Sequence, residues 1–322
     1  MSARAKIVVL DDYERAMRRL GDWSAIEARA DVAIHEARLR GDALHAAIAD
    51  ADAIVLVRDR TPMDAKLITA LPKLRYVVFT GARNTQLDAA ALAARNIPVS
   101  NTGKDAGKAG TVELTWALVL AAMKRLEAQM AVMRSGGWRV DGLLSSTLGG
   151  ERLGLVGLGE IGSRVAKVGQ AFGMEVVAWS PHMTSERAAE QGAKSVPLDE
   201  LLSTSRVVSL HLVPSAETKH LLAAPRLALI RADAVLVNTS RATLVDMEAL
   251  PAALKAGRPG IAAIDVYDSE PLPADHPLRA VPNAVLTPHI GFVTEPVFQR
   301  FAQGAIECLS AWLDAKPLVR VV

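Results

Sequence analysis

The sequence predicts an α/β protein built on two doubly wound parallel sheets, and three observations carry that reading. Short β-rich runs alternate with helical stretches along nearly the whole chain, a pattern that places helices on the faces of a parallel sheet. A G-x-G-x-x-G string, Gly157-Leu158-Gly159-Glu160-Ile161-Gly162, lies midway, after an apolar strand at 152–156 and before a helical pattern at 163–172. At 322 residues, half of them apolar and 22% charged, the chain is long enough for about two domains and apolar enough to fill their cores.

The elements follow in order. In the first hundred residues the β-rich runs are 7–10, 32–35, 53–57, 75–79 and 97–99, separated by helical patterns near 23–30, 43–50, 64–70 and 88–95. Residues 101–107, Asn101-Thr102-Gly103-Lys104-Asp105-Ala106-Gly107, read as a loop. A single long helix is expected from about 111 to 134, with Leu114, Leu118, Met123, Leu126, Met130 and Met133 among its apolar positions. After a loop at 135–150 a second alternating block has strands at 153–156, 175–179, 207–211, 234–237, 261–264 and 284–286. It ends in a helix at about 296–314, whose packing partner spacing alone leaves open.

The glycine string has a physical reading in this context. Gly157 permits a tight turn, Gly159 lets the backbone approach a pyrophosphate, and Gly162 lets the helix pack close to the strand. The helix N-terminus supplies amide donors and positive dipole to phosphate. The block from Arg152 is therefore a Rossmann-type nucleotide-binding unit inserted into, or following, an earlier α/β domain. Its ligand is expected at the carboxyl ends of the strands.

Composition excludes several classes. A net charge of +2 with no dense Lys/Arg run gives no nucleic-acid footprint. One cysteine, Cys308, rules out an intramolecular disulfide framework or a multi-thiolate metal site, and it reads as buried helix filler. No His/Cys/Asp/Glu cluster has ligand spacing such as H-E-x-x-H, and no G-x-S-x-G elbow occurs. Residues 1–6 lead into the first strand without a signal-peptide core, and no run nears the ~18 apolar residues of a membrane span. A cytoplasmic location is expected.

Several further strings recur in the same order in one group of enzymes. They are Glu113-Leu114-Thr115-Trp116-Ala117, Val208-Ser209-Leu210-His211-Leu212, Val237-Asn238-Thr239-Ser240-Arg241, Asp265-Val266-Tyr267-Asp268-Ser269-Glu270-Pro271-Leu272 and Leu286-Thr287-Pro288-His289-Ile290-Gly291. With the glycine string they resemble the D-isomer-specific 2-hydroxyacid dehydrogenase family from about residue 50 onward. The resemblance implies a flavodoxin-like substrate domain at 1–103 and 292–322, with the dinucleotide-binding domain, 104–291, inserted into it. It implies hydride exchange between a nicotinamide and a small 2-oxo or D-2-hydroxy acid of the phosphoglycerate, hydroxypyruvate or glyoxylate type.

That reaction needs a cation for the substrate carboxylate, a group that titrates near neutrality, and something to tune that group. Arg241 suits the first task as a permanently charged fork, although a surface arginine would read the same without the resemblance. His289 suits the second, with a core or capping histidine as the bland alternative. Glu270 suits the third, since a carboxylate beside His289 would stabilise the imidazolium; a solvated loop acid is the competing reading. The resemblance further implies cofactor contacts from Gly157, Gly159, Glu160, Ile161, Gly162, Ser180, His182, His211, Val213, Pro214, Thr218, Thr239, Ser240, Asp265 and Gly291. Substrate contacts are implied for Arg58, Gly81, Ala82 and Arg241.

Departures from the family pattern qualify these expectations. Eighteen residues beyond Gly162 stands Ser180, where an acid would bond the ribose hydroxyls, and Pro181-His182-Met183-Thr184 follows without an arginine. NAD and NADP therefore both stay open, with a slight lean to NAD. Ala242 replaces a usual glycine and tolerates most backbone geometries except positive φ. In the loop Thr80-Gly81-Ala82-Arg83-Asn84, Gly81 keeps the option of amides that hold a carboxylate, and Arg58 with Arg60 resembles the basic residues of phosphoglycerate-using members. An exposed loop of alternating charges is the equal alternative. No regulatory serine-binding domain is expected after Val322. The 111–134 helix and the loop holding Trp138 and Arg139 resemble dimer-forming elements, so a homodimer is expected. Competing readings are a cofactor-sensing corepressor-like binding protein and a formate or phosphite dehydrogenase of the same fold.

Overall fold

Five parallel strands in the order β2-β1-β3-β4-β5 form the first sheet: β1 (Ala5–Leu10), β2 (Ala30–Ile34), β3 (Ala53–Leu56), β4 (Tyr76–Phe79) and β5 (Val99–Asn101). The helices between them are α1 (Ala16–Leu20), α2 (Ser24–Glu27), α3 (Gly41–Ile48), α4 (Ala65–Thr69) and α5 (Ala89–Ala94). The central strands are continuous apolar runs because helices cover both of their faces. Val8, Leu10, Ile54, Leu56, Val77 and Phe79 turn one way, against Ile48, Ile68 and Leu92. Asp64 and Asp88 start α4 and α5 by accepting from the amides of Leu67 (2.8 Å) and Ala91 (2.9 Å).

These elements are those of a computed structural model, which describes residues 4–103, 107–139 and 141–322. Residues 1–3 of the expected N-terminal lead-in and 104–106 of the expected loop, with the boundary placed there, lie outside the described residues. The chain divides into two compact units, Met1–Ala106 with Val293–Val322, and Gly107–Phe292. The C-terminal helix Glu295–Leu313 thus belongs with the first sheet, packing on α1, α2, β4 and β5. Trp312 stacks on Tyr76 with ring centroids 5.7 Å apart. Beyond the helix, Val321 bridges antiparallel to Ser100, and Arg320 Nε donates to the Asn101 carbonyl at 2.8 Å. Cys308 is buried in this helix.

The second unit holds seven parallel strands in the order β12-β11-β10-β9-β6-β7-β8. They are β6 (Arg152–Val156), β7 (Glu175–Trp179), β8 (Lys194–Ser195), β9 (Val207–Leu210), β10 (Val235–Asn238), β11 (Ile261–Ile264) and β12 (Ala284–Leu286). The helices are α6 (Gly107–Lys124), α7 (Leu126–Arg134), α8 (Glu160–Ala171), α9 (Ser185–Ala189), α10 (Leu198–Thr204), α11 (Ala224–Leu229) and α12 (Leu250–Lys255). Alternate strand residues face opposite cores. Leu153, Leu155, Val235, Val237 and Ala263 meet α6 and α8, while Val208, Leu210, Leu236 and Ile264 meet α10, α11 and α12. Strand order reverses on either side of β6, so the crevice between the ends of β6 and β9 is the switch point of this sheet.

The structure corrects three expected boundaries. The single helix at 111–134 is two helices, because Arg125 takes a left-handed φ of 50° that breaks the hydrogen-bond ladder. The helix at 23–30 shortens to α2, since Ala30 already pairs with Ala5 in the sheet. The strand at 97–99 shifts to β5, because the Ile97 amide is committed to the Leu92 carbonyl at the end of α5 (3.0 Å). The short edge strand β8 was not anticipated.

Gly304 places the C-terminal helix against the end of β5: a Cβ there would lie 2.7 Å from Thr102 Cβ and 2.9 Å from Thr102 O. Gly304→Val should destabilise the protein by about 1–3 kcal/mol through overpacking, read as a lower urea midpoint. An unchanged midpoint would show that the two segments part without cost.

Candidate active site

The turn after β6 is bare of side chains by necessity. Gly157 has φ +102°, and a Cβ on it would stand 2.7 Å from the carbonyl carbon and oxygen of His211. A Cβ on Gly162 would collide with the Gly157 carbonyl oxygen, whereas one on Gly159 would meet nothing within 4 Å. The loop is closed below and open above, at the switch point. No side chain caps α8, so its first amides face that opening. This cradle fits a pyrophosphate. Glu160 would oppose such an anion, but its carboxylate is held by Lys108 and by Arg164 (3.1 Å). Its contribution is therefore confined to its backbone, and half-buried Ile161 follows it.

At the end of β7, Ser180 is half-buried and closes a turn by accepting from the Met183 amide at 3.1 Å. His182 is exposed, and its carbonyl accepts from Arg187 Nη1 at 2.8 Å. Sequence reading missed Arg187, which returns to this loop only because α9 turns it back.

Beyond β9, His211 Nε2 lies 2.9 Å from the buried Ser209 hydroxyl, and burial pushes its pKa down to about 4. It is thus neutral near pH 7. Val213 is 79% exposed and Pro214 half-buried. Thr218 is buried, with its hydroxyl accepting from the Ser215 amide (2.8 Å) in a capping box, which ties it to its own turn. Two hydroxyls expected at the cofactor are likewise engaged by protein: Thr239 Oγ1 lies 2.8 Å from Thr115 Oγ1, and Ser240 Oγ donates to the Leu212 carbonyl at 2.7 Å. The first bond ties the loop after β10 to α6, and the second ties it to the loop after β9.

After β10, Asn238 braces the loop that presents Arg241. Its amide nitrogen donates to the Arg241 carbonyl (2.9 Å), and its oxygen accepts from the Ser240 amide (3.0 Å). Arg241 itself is exposed. Ala242 opens a 3-10 turn without positive φ, so the absent glycine is not missed there.

Arg241, Glu270 and His289 come together. His289 Nδ1 is 2.7 Å from Glu270 Oε2, and Glu270 Oε1 accepts from the Tyr267 amide at 3.0 Å. Burial works to raise the Glu270 pKa, but the His289 hydrogen bond and charge, the Tyr267 amide and nearby Arg241 outweigh it and hold the carboxyl below its ordinary value. Nε2 is left as the ring nitrogen directed away from the carboxylate. His289 has φ +55°. Asp265, buried at the end of β11, grips both sides of it, accepting from Thr287 Oγ1 (2.6 Å) and the amides of Ile290 (2.9 Å) and Gly291 (3.0 Å). Burial raises the pKa of Asp265, against these bonds. Tyr267 OH adds 2.9 Å bonds to the carbonyls of Ile264 and Thr287, and Phe292 meets the His289 ring edge-on at 5.5 Å.

Of the expected substrate residues, Arg241 belongs to the second unit, whereas Arg58, Gly81 and Ala82 belong to the first, where β3 and β4 end. Arg58 has φ +58°; its amide donates to Thr80 Oγ1 at 2.9 Å, and its guanidinium lies 6.0 Å from the Phe301 ring centroid. Gly81 is buried and its amide donates to Thr102 Oγ1 (2.9 Å), so that donor is committed within the protein; Ala82 is exposed. Arg60 pairs with Glu14 through two bonds of 2.8 and 2.6 Å and stacks on Tyr13 at 4.5 Å. Among the described residues no group of three metal-ligating side chains occurs, and no helix is long and apolar enough to cross a membrane.

Residues 116–291 match the family model described as D-isomer specific 2-hydroxyacid dehydrogenase, NAD binding domain. The glyoxylate reductase of Aeropyrum pernix is 38% identical over 275 residues, covering 83% of this chain and 81% of its own. The D-3-phosphoglycerate dehydrogenase of Methanocaldococcus jannaschii is 33% identical over 292 residues, which are 90% of this chain and 54% of that one. A solved phosphoglycerate oxidoreductase of Vibrio cholerae superposes with a TM-score of 0.89 and 32% identity, over 97% of this chain and 99% of that one.

The buried imidazole yields a pH prediction. Unfolded, His211 takes up a proton below about 6.5, but in the fold only near 4. Between those values the unfolded state binds more protons, so stability falls as pH falls. The loss is at most about 3 kcal/mol, because part of the residue is open to solvent. His211→Asn should flatten the decline in denaturant midpoint between pH 6.5 and 4. An unaltered decline would place its origin elsewhere.

Proposed function

Because the chain belongs to the D-isomer specific 2-hydroxyacid dehydrogenase family, NAD(P)-dependent oxidoreductases of CH–OH groups, we propose that Arg241, His289 and Glu270 carry out its interconversion of a 2-oxo acid and a D-2-hydroxy acid. The observation that supports this assignment above all is the 2.7 Å contact between His289 Nδ1 and Glu270 Oε2. A bound NAD or NADP supplies or accepts the hydride. The rest falls to the protein. Arg241 holds the substrate carboxylate and polarises the neighbouring carbonyl. His289 donates a proton from Nε2 to the oxygen as it gains charge, and takes it back in oxidation. Glu270 keeps the other ring proton on Nδ1, so that Nε2 is the nitrogen that exchanges, and it stabilises the imidazolium. Asp265 is a positioning residue, holding the loop on which His289 stands.

The substrate is a small, unphosphorylated acid of the glyoxylate or hydroxypyruvate type. Of the two arginines that resemble a phosphate site, Arg60 is neutralised by Glu14, which leaves less positive charge than a phosphate needs. The chain works in the cytoplasm, where its one buried thiol needs no oxidising environment. It forms a two-fold dimer through α7, whose Leu126, Met130 and Met133 lie exposed at helical spacing near Trp138 (71% exposed) and Leu144 (90%). Met130→Asp should shift the sedimentation profile from dimer to monomer; a parent protein that is already monomeric would refute the dimer.

His289→Ala should lower turnover about 100-fold or more, with unchanged circular dichroism. Glu270→Gln should lower it less, by about 10-fold, since Nδ1 keeps a hydrogen-bond partner without its charge. The readout is loss of reduced-nicotinamide absorbance with glyoxylate or hydroxypyruvate. Turnover of His289→Ala comparable to the parent would remove His289 from the reaction.

A further inference from the structure

The residue ending the second strand of a dinucleotide-binding sheet governs which adenosine ribose is accepted. A carboxylate there bonds the two free hydroxyls and repels a phosphate. In this chain the position is Ser180, after Trp179 at the end of β7, and Pro181-His182-Met183 follows without a charge of either permanent sign. Local folding then brings in a cation from further along. The Met183 amide closes a turn on the Ser180 carbonyl (3.1 Å), and Thr184 caps α9 by accepting from the Arg187 amide (3.3 Å). One helical turn therefore carries Arg187 back over the loop, where its Nη1 donates to the His182 carbonyl at 2.8 Å. That bond engages one nitrogen of a guanidinium that is otherwise exposed, and a guanidinium matches phosphate oxygens as a planar fork.

The acid of this segment, Glu186, is ionised, held below the usual carboxylate range by hydrogen bonds from its own amide and the Thr184 hydroxyl, and it stands at the start of α9 and not at the strand end. The loop thus offers a cation anchored by the backbone, a hydroxyl at Ser180 and no carboxylate at the strand end.

We propose that Ser180 and Arg187 form a subsite for the 2′-phosphate of the adenosine ribose, so that this chain prefers NADP to NAD. This rests on the dinucleotide reading of the glycine loop. A 2′-phosphate gains a charge-assisted contact with Arg187 that a free hydroxyl lacks, worth about 10- to 30-fold in affinity.

Calorimetric titration with adenosine 2′,5′-bisphosphate and with AMP isolates this corner from the chemistry. The parent should bind the bisphosphate about 10-fold or more tightly than AMP. Arg187→Gln should abolish that difference while leaving AMP affinity within about twofold, and Arg187→Lys should restore part of it. Ser180→Asp should reverse the preference. Equal affinity of the two nucleotides in the parent, or a preference that survives Arg187→Gln, overturns the subsite. Quenching of tryptophan fluorescence by reduced cofactors separates the two levels. Tighter binding of NADH than NADPH refutes the subsite alone, whereas binding of neither refutes the dinucleotide reading and the subsite with it.

Discussion

The geometry of the His289–Glu270 pair depends on one buried carboxylate and the backbone it restrains. His289 sits in the left-handed region, which costs a non-glycine residue about 1–3 kcal/mol unless its surroundings impose it. Asp265 imposes it, taking a hydroxyl from one side of the histidine and two amides from the other. With the peptide pinned before and after, the imidazole has little choice but to project toward Glu270. Tyr267 closes the arrangement, since its amide holds the carboxylate and its hydroxyl holds the carbonyls of both loops. Positioning here is a property of hydrogen-bonded backbone, with the side chains of His289 and Glu270 at its tip.

The same principle operates where the dinucleotide is expected. Glycine at 157 and 162 answers contacts too close for any side chain, and the hydroxyls of Thr239 and Ser240 tie the neighbouring loops to α6 and to the chain after β9. Residues that sequence resemblance assigns to a ligand thus include several whose side chains are bonded within the protein. Thr218 is the clearest instance: its hydroxyl completes a capping box with Ser215.

Much of this was legible in the sequence, and for identifiable reasons. Parallel strands buried on both faces are unbroken apolar runs, so the sheets could be read from Ile7–Leu10 or Ile261–Ile264 without knowing their partners. The histidine and glutamate were readable because each lies within a distinctive string. What escaped depended on single backbone angles or on distant pairing. Arg125 interrupts an apolar periodicity that continues across it, with no Gly or Pro to mark the break. For Arg60 a cation available to substrate and an exposed loop charge read equally well, because Glu14 lies far away in the chain and meets it only once β1 and β3 are side by side. Arg187 was overlooked because its place is set by a helical turn and not by its distance from Gly162.

The discontinuous make-up of the first unit sets an order of events during synthesis. Its five strands emerge first, yet the helix that packs on β4 and β5 follows only after residues 107–292 have been made. At roughly 5–20 residues per second that interval lasts roughly 10–40 s. Throughout it, the nascent sheet carries an uncovered apolar face and an unpaired edge at β5, the two features that invite association between chains or capture by a chaperone. The inserted unit, being continuous, is finished first, and the sheet whose strands are made before it is the last to close.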